Sequence, residues 1–169
     1  DLLWATWHRV EHIWSRAMTT IHDITPAGGA RMLSGIAGLD AVLDGGLLHG
    51  HSLLLQGTPG SGRTALGLQL LVAGALRYGE PGIILAVEQS PEQFRREAWG
   101  FGLDLQALEA RGRLRVIYAR RDDLYSSFAE RESVALSRIA EAAFDLKARR
   151  LLVDPGAEFF RIPMPDEDR

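Results

Sequence analysis

Residues 52–64 read Ser-Leu-Leu-Leu-Gln-Gly-Thr-Pro-Gly-Ser-Gly-Arg-Thr, and the reading of this stretch decides the fold. The apolar run Leu53, Leu54 and Leu55 predicts a short buried strand that breaks into a glycine-rich turn. Gly57, Gly62 and Thr64 fit the phosphate-loop spacing G-x-x-x-x-G-K-[ST], with Arg63 standing where the pattern has lysine. Beyond it, Ala65, Leu66, Leu68, Gln69, Leu70, Leu71 and Ala73 are good helix formers, so a helix is expected to open on the loop. A Gly/Pro-rich connector with no ligand would need no such agreement between the loop and both of its flanks.

The chemistry calls for these residue types. Glycines at 57, 60 and 62 allow positive φ and let backbone N–H groups approach phosphate oxygens. The helix that follows turns its positive N-terminal end to the same concavity. Gly57, Thr58, Pro59, Gly60, Ser61, Gly62, Arg63, Thr64 and Ala65 are therefore the candidate nucleotide-binding segment, and the Thr64 hydroxyl is the candidate first ligand for Mg²⁺. Arginine at 63 keeps the charge of lysine but carries it on a wide planar fork, so the exchange is not conservative at a tight site. Binding of a triphosphate is thus a firmer expectation than fast turnover.

Composition bounds the rest. A chain of 169 residues, 46% hydrophobic and 24% charged, suffices for one domain with a sizeable core. The formal net charge of −3 gives no electrostatic footprint for nucleic acid. With no cysteine there is neither a disulfide framework nor a thiolate metal site, which agrees with a cytoplasmic protein. No apolar run approaches the roughly 20 residues that span a bilayer, so no membrane partner is expected. Asp1 at the start and a polar tail after the last apolar run give the expectation of a fragment of a longer protein.

Leu3, Trp7, Val10, Trp14 and Met18 recur at helical spacing, so residues 1–22 predict an amphipathic leader helix rich in tryptophan. The same segment contains His8-Arg9-Val10-Glu11-His12, the H-x-x-E-H order of an inverted zinc-protease site. A third ligand context is not evident downstream, and an amphipathic helix with two histidines on its polar face accounts for the pattern. Residues 23–30, Asp-Ile-Thr-Pro-Ala-Gly-Gly-Ala, read as a linker, leaving 31–169 as the nucleotide-binding domain, expected to be incomplete.

Between linker and loop, Ser34 is suited to cap a turn, and a short helix is expected from Gly38-Leu39-Asp40 to Gly45-Gly46. Ser34, Gly35, Ile36, Gly38, Leu39, Asp40, Leu43, Gly45, Gly46, Leu47 and Gly50, placed directly before the phosphate loop, resemble the lead-in of KaiC-like ATPases, members of the RecA-like P-loop superfamily. This agreement is far more specific than the loop alone.

Downstream, Gly79-Glu80-Pro81-Gly82 is a turn, and Ile83–Val87 reads as a second buried parallel strand completing a βαβ unit. It ends at Glu88-Gln89-Ser90-Pro91, where the family typically carries two acidic residues beside the attacking water. Glu88 keeps the first acid and is the candidate catalytic group alongside Arg63; Gln89 can orient a water but cannot take its proton. The competing role for Glu88 is to cap the helix that starts near Pro91. Residues 91–111 read as helical with a break at Gly100-Phe101-Gly102, a segment that also resembles the family around Phe101, Gly102 and Leu105. Leu114–Tyr118 is a third strand. The arginines at 111, 113, 115, 120 and 121 are followed at once by Asp122 and Asp123, which reads as a solvated loop. An amphipathic helix is expected over 130–148, and Arg149-Arg150-Leu151-Leu152-Val153-Asp154 has the shape of a Walker B strand whose aspartate would complete the Mg²⁺ shell opposite Thr64. The family usually follows that aspartate with serine, whereas here Pro155 follows.

The resemblance covers about residues 31–156. It implies a three-layer α/β/α fold with a mainly parallel sheet, ATP and Mg²⁺ as ligands, and a homo-oligomeric ring, a hexamer among the options. In such rings a neighbour supplies basic residues to the γ-phosphate, and these would lie beyond Arg169. The leading expectation is an ATP-binding and ATP-hydrolysing domain in signalling or regulation. A non-hydrolysing nucleotide sensor is the alternative, since Arg63 and Gln89 both depart from the family pattern toward slow turnover. A recombination ATPase is third, for want of a basic surface.

Overall fold

The computed structural model describes residues 30–36, 38–87, 89–120, 123 and 134–155. The expected leader helix, nearly all of the linker, the H-x-x-E-H segment, Glu88 and residues 156–169 lie outside the described residues. In chain order the elements are β1 (Arg31–Met32), α1 (Leu39–Val42), β2 (Leu47–Leu48), α2 (Arg63–Arg77), β3 (Gly82–Val87), α3 (Pro91–Gly100), α4 (Leu105–Ala110), β4 (Leu114–Ala119), α5 (Val134–Leu146) and β5 (Arg150–Asp154).

The main sheet is parallel, in the order β4-β3-β5. In register, Ile84 of β3 faces Val116 of β4 on one side and Leu152 of β5 on the other. Gly82–Val87 is a continuous apolar run because it is central and covered on both faces. Alternate residues divide between two cores. Ile84 and Ala86 pack with Leu68, Leu71 and Val72 of α2, Phe94 and Ala98 of α3, and Leu105 and Leu108 of α4. Ile83, Leu85 and Val87 pack with Ala135, Ile139 and Ala142 of α5. The layers are therefore α/β/α, as expected.

The crossovers place the site. From β3 the chain steps outward to β4 by way of α3 and α4 on one face; from β4 it steps back over β3 to β5 by way of α5 on the other. Crossovers of one hand running in opposite directions must use opposite faces. The reversal opens a crevice at the C-terminal ends of β3 and β5, where doubly wound sheets bind their ligands.

Local signals explain the element ends. Ser90 caps α3 by accepting a hydrogen bond from the Gln93 N–H, with Pro91 in the first turn. The cap of this helix is therefore Ser90, and Glu88 is not needed for it. The break expected at 100–102 is a Schellman ending: Leu103 N–H bonds back to the Ala98 carbonyl, and Gly102 takes a φ of 75° that an L side chain would resist.

One expectation fails. Residues 51–58 form no strand; Leu53 and Leu54 are 38% and 50% exposed, and the loop-side edge of β5 carries no ladder partner among the described residues. The βαβ unit expected to begin there is therefore absent. Leucines lack the branched Cβ that favours an extended pleat, and a strand gains its stability from cross-strand partners and cover. Helix α2 spends Leu68, Leu71, Val72 and Ala75 on the core against the sheet, and only Leu55 of the run is half-buried.

The lead-in is a small self-bonded unit that the sequence did not announce as one. Its ends pair as an antiparallel ladder, Arg31 with Leu48 and Met32 with Leu47, while α1 stops at Val42, earlier than expected. Arg31 donates to the Leu43 and Gly46 carbonyls at 3.0 and 2.8 Å. Asp40 accepts from the Ser34 N–H at 2.7 Å, and the buried Ser34 hydroxyl accepts from the Ile36 N–H at 3.1 Å. The side-chain hydrogen bond with Ser34, helped by backbone bonds, holds the Asp40 carboxyl below its ordinary range. A depressed folded-state pKa contributes stability that is present above the unfolded-state pKa and is lost as pH falls through the folded one. Asp40→Asn is therefore expected to lower the melting temperature at pH 7, with the gap to wild type closing below the usual aspartate range. Melts by circular dichroism from pH 7 to pH 3 check this; a gap independent of pH removes the carboxylate from the explanation.

Candidate phosphate-binding site

Gly57–Gly62 is an exposed loop that turns through Gly60 (φ 81°) and Gly62 (φ 85°) into α2. The Ser61 N–H closes the turn on the Thr58 carbonyl at 3.1 Å, and the Ser61 hydroxyl folds over Gly57 so closely that a Cβ there would lie 2.3 Å from it. The first helical bond of α2 runs from Leu66 N–H to the Gly62 carbonyl, leaving the amides of Gly62, Arg63, Thr64 and Ala65 outside the ladder. No side chain caps this end and no acidic residue sits in the first turn. Such an end has the donors and the dipole for an anion. Beside it lies a cleft of about 360 Å³ lined by Leu55, Gln56, Ser61, Arg63 and Gln69 among others.

Thr64 comes to Asp154 because α2 lies unusually close to β5. A Cβ on Gly67 would sit 2.7 Å from the Leu152 side chain, and one on Gly74 would sit 2.4 Å from Arg150. Glycine at both points lets the helix run down the strand, so that Gly74, Gly67 and Thr64 meet Arg150, Leu152 and Asp154 in turn. Sequence reading missed both glycines. Their signal was present, since glycine inside a helix costs roughly 1 kcal/mol against alanine and points to a close approach.

Burial pushes the Asp154 carboxyl above its ordinary range; the hydrogen bond from Thr64 and the charge of Arg63 oppose this, and the charge of Glu97 adds to it. A half-buried carboxylate beside a hydroxyl, with little compensation for its charge, has the chemistry of a hard-cation ligand. Donor set and desolvation both fit Mg²⁺ between Thr64 and Asp154. Among the described residues no group of three or more His, Asp or Glu side chains could hold a metal by itself.

The structure thus brings together the loop from Gly57 to Ala65, Arg63, Thr64 and Asp154. Glu88 lies outside the described residues. Glu97 was not anticipated: it sits on α3, receives a hydrogen bond from Gln89, and its charge is felt at Asp154. No helix among the described residues is long and apolar enough to cross a membrane.

The chain is similar to known proteins over most of its described length. The "ATPase: KaiC" family model matches residues 32–166. The circadian clock oscillator protein KaiC of Parathermosynechococcus lividus is 36% identical over 132 residues, covering 76% of this chain and 24% of that protein. A UPF0273 protein of Methanopyrus kandleri is 34% identical over 133 residues, covering 73% of this chain and 52% of the relative. Among solved structures, a KaiC-like protein of Pyrococcus horikoshii superposes with a TM-score of 0.63 at 30% identity, over 75% of this chain and 54% of that one. The chain spans about half the length of the shorter relatives and about a quarter of the KaiC protein.

Proposed function

The chain belongs to the KaiC ATPase family, and on that premise we propose that it binds ATP with Mg²⁺ and hydrolyses it slowly, in a signalling or regulatory role. The observation that carries the proposal is the meeting of Thr64 and Asp154 at the uncapped end of α2. In this reading the amides from Gly57 to Ala65 grip the phosphates and Arg63 adds charge to them. Thr64 and Asp154 hold the cation, and Glu88 orients the attacking water. Bound Mg²⁺ supplies charge neutralisation for the β- and γ-oxygens. The working assembly is a homo-oligomeric ring in the cytoplasm.

Two positions favour a competing reading as a nucleotide sensor: Arg63 in place of lysine and Gln89 in place of a second acid. Calorimetric titration with a non-hydrolysable ATP analogue, with and without Mg²⁺, tests the binding. Mg²⁺ is expected to tighten it at least tenfold, about 1.4 kcal/mol. Thr64→Ala and Asp154→Asn should each remove that gain and leave the Mg²⁺-free affinity in place. Absence of heat at millimolar nucleotide sinks the assignment. Single-turnover hydrolysis separates the two readings, because ATP persisting for hours in the bound state identifies a sensor.

A further inference from the structure

Gln89 follows the end of β3 by two residues, and the pairing of Ala86 with Asp154 puts it just past Asp154 on the neighbouring strand. Its side-chain Nε2 donates to Oε1 of Glu97 at 2.5 Å. Ser90 and Pro91 start α3 immediately after Gln89, so the helix carries Glu97 back over the turn about two helical turns later. The charge of Glu97 also adds to the upward push on the Asp154 carboxyl.

A carboxylate can only accept hydrogen bonds, so Glu97 can hold only the NH₂ end of the glutamine amide. The carbonyl end is then left as the free acceptor. Without Glu97 the two ends of the amide would compete for the same position, and one of them is a donor. We propose that Glu97 is a positioning residue that fixes the Gln89 amide with its carbonyl oxygen offered, as an acceptor, to a water or hydroxyl at the C-terminal end of β3. The bond is charge-assisted, which suits it to hold one orientation. An amide held this way orients a water without taking its proton, so Gln89 has a working role where a second carboxylate is missing. The catalytic part of the inference rests on the hydrolysis reading above; the orientation of the amide does not.

The test has a spectroscopic and a kinetic arm. In ¹⁵N-labelled protein the Gln89 side-chain NH₂ pair is assigned by its disappearance in Gln89→Ala. The pair is expected to be offset from free glutamine in the wild type, to collapse to the free position in Glu97→Ala, and to move on adding Mg²⁺ with a non-hydrolysable ATP analogue only when Glu97 is present. A Gln89 pair unaffected by Glu97→Ala overturns the proposal. In single-turnover hydrolysis Glu97→Ala should slow the rate about fivefold with nucleotide affinity within twofold. The exchange Gln89→Glu with Glu97→Gln keeps the contact with donor and acceptor reversed, and should restore the rate. A staple between turn and helix with no further role would leave the rate unchanged in Glu97→Ala, or would lose rate and affinity in step; either result overturns the positioning role. If the wild type shows no turnover, the hydrolysis reading falls, and the spectrum alone decides the amide.

Discussion

Arg150→Met is expected to cost about 3 kcal/mol of folding stability, the low end of what breaking a buried ion pair costs. Its side chain is 3% exposed at the start of β5 and binds in several directions at once. Nε donates to Glu80 at 2.7 Å, Nη1 to the Leu70 carbonyl of α2 at 2.7 Å, and Nη2 to the Leu33 carbonyl of the lead-in at 2.7 Å. The guanidinium also lies 5.6 Å from the Tyr78 ring centre. One cation thus ties lead-in, loop helix and central sheet together at the end opposite the phosphate loop. Methionine preserves much of the volume but strands the Glu80 charge and removes the donors. The low end applies because Glu80 is 22% exposed and keeps some contact with water. Adding Glu80→Gln to Arg150→Met should recover part of the loss, as coupling between contacting partners requires. Gly74→Ala should destabilise in the same direction, because its Cβ would collide with a guanidinium that has nowhere to go. Urea unfolding measures all three, and a loss below about 1 kcal/mol for Arg150→Met would show that packing alone fastens these elements.

This hub also marks the limit of what the sequence discloses. Strands β3, β4 and β5 and helices α2 to α5 announce themselves by apolar runs, period and punctuation, because each signal is local. Thr64 and Asp154 are legible as a pair because the loop pattern fixes one and a strand-then-aspartate segment fixes the other. Arg150 read only as one of two basic residues before a strand; its partners lie 70 to 117 residues away, and no local pattern encodes them. Glu97 escaped for a related reason. Its contact with Gln89 joins a turn to a helix face and follows neither helical nor strand period. Leu53–Leu55 failed in the opposite sense: local apolarity predicts a strand, but pairing and cover are tertiary matters.

Arg63→Lys is expected to raise the single-turnover rate of ATP hydrolysis at least tenfold, while Arg63→Ala weakens nucleotide binding by less than tenfold. Gripping the phosphates and stabilising the transition state call on different groups. In the proposed reading the amides of Gly62 to Ala65 and the turn closed by Ser61 grip the phosphates, and none of these depends on the side chain at 63. That side chain runs back beside the loop, its Cδ 3.7 Å from where a Cβ on Gly57 would stand, and its charge reaches Asp154. A guanidinium shared between Asp154 and the phosphates spreads its charge over a plane, whereas an ammonium concentrates it on one point. One well-aimed electrostatic contact in a transition state is worth about 2.7–4 kcal/mol. A tenfold gain corresponds to about 1.4 kcal/mol, so lysine need restore only part of such a contact to be seen. Quench-flow hydrolysis and calorimetry on the same preparations give both numbers. An unchanged rate in Arg63→Lys would place the limitation elsewhere, with Gln89 the next position to test. A collapse of binding in Arg63→Ala would transfer the grip from the backbone to the guanidinium.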